Sequence, residues 1–144
     1  MKKVICFSLL ITVFITLTAC SATPKYVPNG FAKSEEHFDK EGFQDYTDFC
    51  IYQYDSADHF LGNSKYSIIT DKDIENLQGY FDNFKGWMEV KDRLKEYSFD
   101  SSSISQGDYF HIETKPTSED KYVDYDVYFF DVETLTLYYI HNNI

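Results

Sequence analysis

A chain of 144 residues with 13 basic and 24 acidic side chains carries a formal net charge of −11 and a sequence pI near 4.6. Nucleic acid and anionic membrane surfaces demand basic patches, so this balance excludes bulk polyanions as partners. Aromatic residues make up 19% of the chain, with 13 Tyr, 13 Phe and one Trp, and so much apolar area to bury excludes an intrinsically disordered chain despite the charge.

At the start, Lys2 and Lys3 precede an apolar, uncharged run at residues 4–17, shorter than the roughly 20 residues a membrane-crossing helix takes. Small residues and a cysteine follow in Leu17-Thr18-Ala19-Cys20. The segment resembles the signal and lipobox of bacterial lipoprotein precursors, in which the cysteine thiol receives a diacylglycerol and the peptide is cut just before it. The resemblance implies that residues 1–19 are a lipoprotein signal peptide and that Cys20 is the lipid-bearing, palmitate-carrying mature N-terminus. It also implies a place in the cell envelope, anchored to the bacterial cell membrane and facing outside the cytoplasm. Losing residues 1–19, with Lys2 and Lys3, leaves 125 residues and moves the formal net charge from −11 to −13. That length suits one domain with one core.

The cysteines fit the same picture. Cys6 leaves with the signal and Cys20 is spent on lipid, so Cys50 has no partner within the chain and no disulfide is expected. Within Asp48-Phe49-Cys50-Ile51-Tyr52 it reads as a buried structural thiol in a strand rather than a reactive one.

Residues 20–31 hold two of the three prolines and no periodicity, and are expected to be a lipidated tether. At about 3.3 Å per extended residue, ten such residues lift a domain about 30 Å off the headgroups. Residues 32–144 are expected to form a single α+β domain. Within it, residues 32–41 suggest a short helix with Ser34 as N-cap and Glu35 and Glu36 in its first turn. Residues 46–54 read as a strand, residues 55–61 as one or two helical turns stopped at Gly62, and residues 65–69 as extended. Thr70-Asp71-Lys72-Asp73 then resembles a capping box with Asp in the usual Glu position. Behind it Ile74, Leu77, Phe81, Phe84 and Met88 recur at spacings of 3, 4, 3 and 4, one apolar stripe that predicts the core face of a helix. Its polar side mixes both signs of charge, which argues against a membrane surface. Residues 91–106, charged and then Ser-rich, are a connection.

Three strands follow, at residues 108–115, 122–130 and 135–142, the last two as a hairpin with Val132 and Glu133 at its tip. This register sets Phe130 opposite Leu135, Tyr128 opposite Leu137, Asp126 opposite Tyr139 and Asp124 opposite His141. One hairpin face then shows Tyr128, Phe130, Leu135, Leu137 and Tyr139, the other Tyr125, Val127, Phe129, Tyr138 and Ile140. Both are aromatic, whereas a small sheet usually keeps one wet face. The expected architecture is an antiparallel sheet of four to five strands with one main helix packed on one face. The run at residues 128–143 and the helix at residues 73–87 are similar to segments of a group of small bacterial lipoproteins that carry no assigned activity, so the resemblance implies architecture alone.

For chemistry the sequence offers little. None of the four histidines, His37, His59, His111 and His141, has metal-ligand spacing, and no phosphate loop, nucleophile elbow or cysteine pair is present; no metal, cofactor or catalytic residue is expected. Asp55, Asp58 and His59 cluster on one turn, more simply a solvated helix start. Asp124 with His141 is the one candidate acid–base dyad, against the plainer reading of a cross-strand ion pair. The leading expectation is a non-catalytic binding or interaction module displayed on the surface, with membrane contact through Cys20, an envelope protein or glycan as partner, and Tyr125 and Tyr138 as its accessible rings. The alternative is a hydrolase or accessory enzyme of envelope glycans using Asp124 or Asp126 in an aromatic cleft. A structural spacer is the third.

Overall fold

The computed structural model describes residues 22–39, 45–115 and 120–144; residues 1–19, expected to be a signal peptide, and Cys20 lie outside them. Six strands build one antiparallel sheet: β1 (Lys33–His37), β2 (Tyr46–Gln53), β3 (Ser67–Ile68), β4 (Tyr109–Thr114), β5 (Asp124–Asp131) and β6 (Thr136–Asn143), in the order β1-β2-β6-β5-β4-β3. Among the described residues one α-helix, α1 (Asp71–Val90), lies across one face, and two 3-10 turns, Leu94–Glu96 and Ser101–Ser103, follow it. A small single domain built on an antiparallel sheet with helix beside it is as expected, but the sheet has six strands, not four or five. The sixth comes from residues 33–37, expected to be helical. Backbone pairing of Lys33 with Gln53 through His37 with Phe49 outweighs a local Ser-Glu-Glu signal worth only a few tenths of a kcal/mol per residue.

The helix begins as its sequence dictates. The Asp73 carboxylate accepts hydrogen bonds from the Thr70 amide at 2.9 Å and the Thr70 hydroxyl at 2.6 Å, and these bonds hold it below the usual carboxylate range. Leu77, Tyr80, Phe81, Phe84 and Met88 are buried against the sheet, where they meet Phe49, Tyr125, Val127, Phe129 and Ile140. Gly79 has a packing reason. A Cβ there would fall 2.5 Å from the Tyr122 hydroxyl, whereas one on Gly86 would meet nothing within 4 Å.

The connection behind α1 is apolar where it counts. Tyr97, Phe99 and Ile104 are buried in the same core, Phe99 packing on Phe81 at 4.3 Å and on Tyr138 at 4.5 Å between ring centroids. The opposite face is covered as well. Phe60 stacks on Phe130 at 3.7 Å, Tyr66 and Val27 are buried, and Tyr26, Phe31 and Phe38 pack alongside. Residues 55–61 supply part of this cover as turns, with Leu61 and Phe60 amides bonding back to the Ala57 carbonyl, not as the helix expected.

Part of the stretch read as a tether is therefore structure. The Val27 amide closes a turn onto the Pro24 carbonyl and the Ala32 amide bonds the Gln53 carbonyl. Tyr66 and Tyr54 donate their hydroxyls to the Tyr26 and Pro28 carbonyls at 2.9 and 2.7 Å. Gly30, at φ 98, supplies a left-handed residue within it.

The hairpin joins β5 to β6 through residues 132–135 rather than a two-residue tip. Asp131 Oδ1 accepts from the Glu133 and Thr134 amides and Leu135 takes φ 54, a longer loop with an αL residue at its end. Pairing shifts by two residues: Phe130 faces Leu137, Tyr128 faces Tyr139 and Asp126 faces His141. A shift of two preserves which side each residue points to, so both aromatic faces are as read from the sequence.

Candidate functional site

Below the second aromatic cluster, alternation carries the strands into polar residues. Glu113 pairs with Asp126 across β4 and β5, Asp126 with His141 across β5 and β6, and His141 with Asp48 across β6 and β2. Four titratable side chains thus form one row across four strands, on the face away from α1, with an imidazole between two carboxylates.

Asp126 is the centre. Its Oδ1 accepts the Tyr139 hydroxyl at 2.7 Å and the His141 Nδ1–H at 2.9 Å. Burial pushes the carboxyl up, but the His141 and Tyr139 hydrogen bonds together hold it below its ordinary value. Burial raises the Tyr139 hydroxyl well above its own. At the far end burial also raises the Asp48 carboxyl, and Asp48 accepts the Asp39 amide at 2.8 Å. The Tyr46 ring lies 4.9 Å from the His141 ring. His141 is 8% exposed, and its Nε2 is buried without a hydrogen-bond partner among the described residues.

An aspartate on one imidazole nitrogen is the orienting half of a nucleophile-activating triad. The other half is missing among the described residues, because Nε2 meets neither a hydroxyl or thiol nor solvent.

Beside it opens a groove of about 490 Å3 lined by Ile112, Glu113, Thr114, Lys115, Asp124 and Asp126. Lys115 Nζ bridges to Asp124 Oδ2 at 2.7 Å, a bond that raises the lysine's pKa. Tyr26 anchors the near wall, its hydroxyl donating to Glu113 Oε1 at 2.6 Å and its ring meeting His111 edge-on at 4.4 Å. Since β3 pairs only with Tyr109 and Phe110, Ile112, Glu113 and Thr114 of β4 are left to border this groove.

The residues singled out from the sequence fare unevenly. Tyr125 is 0% exposed and lies on the helix face, its hydroxyl donating to Asn83 Oδ1 at 3.0 Å; Tyr138, half-buried, stacks on Phe129 on that same face. They are not accessible rings of a common surface, because Tyr80 of α1 packs on Tyr125 and Phe99 packs on Tyr138. Asp124 does not pair with His141 but opposes Asn143. Asp124 and Asp126 do share a groove. Cys50 is fully buried, and burial pushes its thiol up to about 12, the inert role expected. His59 packs beside Tyr54 and over Gly30. Among the described residues no three His, Cys, Asp or Glu side chains are grouped to hold a metal ion, and no helix is long and apolar enough to cross a membrane.

Sequence reasoning missed Asp48, Glu113 and Tyr26 as members of the site. The signal was available in part: Asp124 with Asp126, and Tyr139 with His141, each sit two apart, and an aspartate opening the loop favours a longer turn, which moves His141 opposite Asp126. No known protein family, curated protein or solved structure matches this chain significantly.

Proposed function

We propose that the protein is a lipid-anchored, extracytoplasmic, non-catalytic binding module of the bacterial cell envelope, presenting the groove beside β4 to an envelope glycan or protein. The lipobox ending in Cys20 supports the anchor. The observation that carries the non-catalytic reading is the closed Asp126–His141 pair: its outer nitrogen is buried, and its carboxylate is already satisfied by two donors. Glu113 and Asp124 offer carboxylate acceptors along the groove, suited to a partner rich in hydroxyl or amino groups.

One observation favours the hydrolase alternative, namely that Asp124 and Asp126 line the same groove. Glycoside hydrolysis needs one carboxyl kept protonated near neutral pH. Asp126 is held on the ionised side and Asp124 is tied to Lys115, so neither fits the acid's role.

Co-sedimentation of the mature protein with purified envelope glycan and, separately, with envelope membranes stripped of other lipoproteins tests the reading. Binding to one fraction should weaken about tenfold, or 1.4 kcal/mol, in a Glu113→Gln/Asp124→Asn variant that melts as the parent does. New reducing ends released from the glycan would overturn the non-catalytic reading, and equal binding by the variant would overturn the groove. In cells, radiolabelled palmitate should enter the wild type and not Cys20→Ala.

A further inference from the structure

We infer that residues 24–32 are a clasp that seats the domain on the membrane surface, with Lys25 and Lys65 turned toward the phosphates of the lipid headgroups. This rests on the anchor at Cys20 proposed above and contradicts the spacer expected for this stretch. Three hydrogen bonds tie this segment to the domain, the Tyr66 and Tyr54 hydroxyls to the Tyr26 and Pro28 carbonyls and the Ala32 amide to the Gln53 carbonyl, while the Val27 amide closes a turn onto the Pro24 carbonyl within it. A fourth tie runs from the Tyr26 hydroxyl to Glu113, and Val27 is only 8% exposed. Pro24 lies four residues from Cys20 in the sequence. Four residues at full extension span about 14 Å, half the reach of the expected tether.

Charge is placed to suit. Lys25 Nζ lies 4.5 Å and Lys65 Nζ 5.7 Å from the centroid of the Tyr26 ring, and the Lys25 side chain is 72% exposed. Two cations flanking one tyrosine is the composition that favours a membrane–water interface. Glu113 stands 3.8 Å from Lys25, and the chain as a whole is strongly acidic, so the contact is local and suits zwitterionic rather than anionic lipid.

The test couples the mature protein through Cys20 to a maleimide phospholipid in a supported phosphatidylcholine bilayer and reads the protein layer by neutron reflectometry. Every contact described above lies within residues 22–144, and the buried Cys50 thiol does not compete for the maleimide. Protein density should begin within about 14 Å of the headgroups, and the hydrated gap should widen at least twofold in Lys25→Glu/Lys65→Glu, whose changes are at solvent-exposed positions. A wild-type gap beyond that reach overturns the clasp; a profile unchanged in the double variant overturns the headgroup contact. The synthetic lipid makes the result independent of acylation in cells, so missing palmitate would fail the anchor reading and leave the clasp to be judged on reflectivity.

Discussion

The two faces of the sheet are equally aromatic and are covered in opposite ways. On one, a single helix delivers Leu77, Tyr80, Phe81, Phe84 and Met88 from one turn after another. On the other, Val27, Phe60 and Tyr66 are buried, and Phe31 and Phe38 pack beside them, pieces up to forty residues apart held by side-chain hydroxyls on backbone carbonyls. A helix announces the face it covers by its period; a cover made of loops has no period to read. The comparison teaches that two aromatic faces on neighbouring strands are a demand for two covers, and that the second is sought among segments dismissed as linkers.

The largest expected effect tests whether the faces are equally dry. Phe81→Ala and Phe84→Ala should each cost about 3–5 kcal/mol in denaturant unfolding, and Phe60→Ala and Phe130→Ala should cost as much. Because Phe60 and Phe130 are stacked, their double variant should depart from additivity by about 0.5–1.5 kcal/mol, while Phe60 with Phe84 should be additive. A second face losing under 1 kcal/mol per ring would show a loosely held cover.

Next in size is the polar end of that face. Asp126→Asn weakens hydrogen bonds to a charged acceptor, worth about 1.5–3 kcal/mol. The sign with pH follows from its depressed pKa. The carboxylate's contribution is fully present above the unfolded value of about 3.9 and is lost as pH falls through the lower folded value. The gap in stability between wild type and variant should therefore be constant near neutrality and close below about pH 4. A gap that stays open in acid would mean that charge on Asp126 contributes nothing.

The smallest effect separates the two helix glycines. Gly86→Ala should stabilise by about 1 kcal/mol, since its Cβ meets open space. Gly79→Ala should gain less or nothing, because it displaces the Tyr122 hydroxyl and disturbs that ring's packing on Tyr80. Equal gains in melting temperature would show that Tyr122 is not seated there.

How much was legible follows from which signals are local. Thr70 and Asp73, the apolar stripe of α1 and the alternation of β5 and β6 each act within a few residues, and each is read correctly down to the face every hairpin residue occupies. The register was off by two because Asp131 recruits two amides into a longer turn. That displacement is invisible to face assignment and decisive for chemistry: it replaces Asp124 with Asp126 as the partner of His141. Strand β1 was illegible because KSEEH at an outer edge needs no apolar alternation, only a neighbour to bond. Tyr125 went wrong for another reason. Its strand face was right, but that is the face α1 covers, with Tyr80 and Asn83 on Tyr125, and the connection beside it, polar by composition, adds two well-placed rings and an isoleucine, Tyr97, Phe99 and Ile104.

The sheet order also sets a timetable. Strand β6, last of the six in chain order, lies between β2 and β5, so the β1–β2 ladder and the β3–β4–β5 ladder have no shared seam until it arrives. The two part-sheets close into one only through residues 136–143, by contacts of long sequence separation that form slowly.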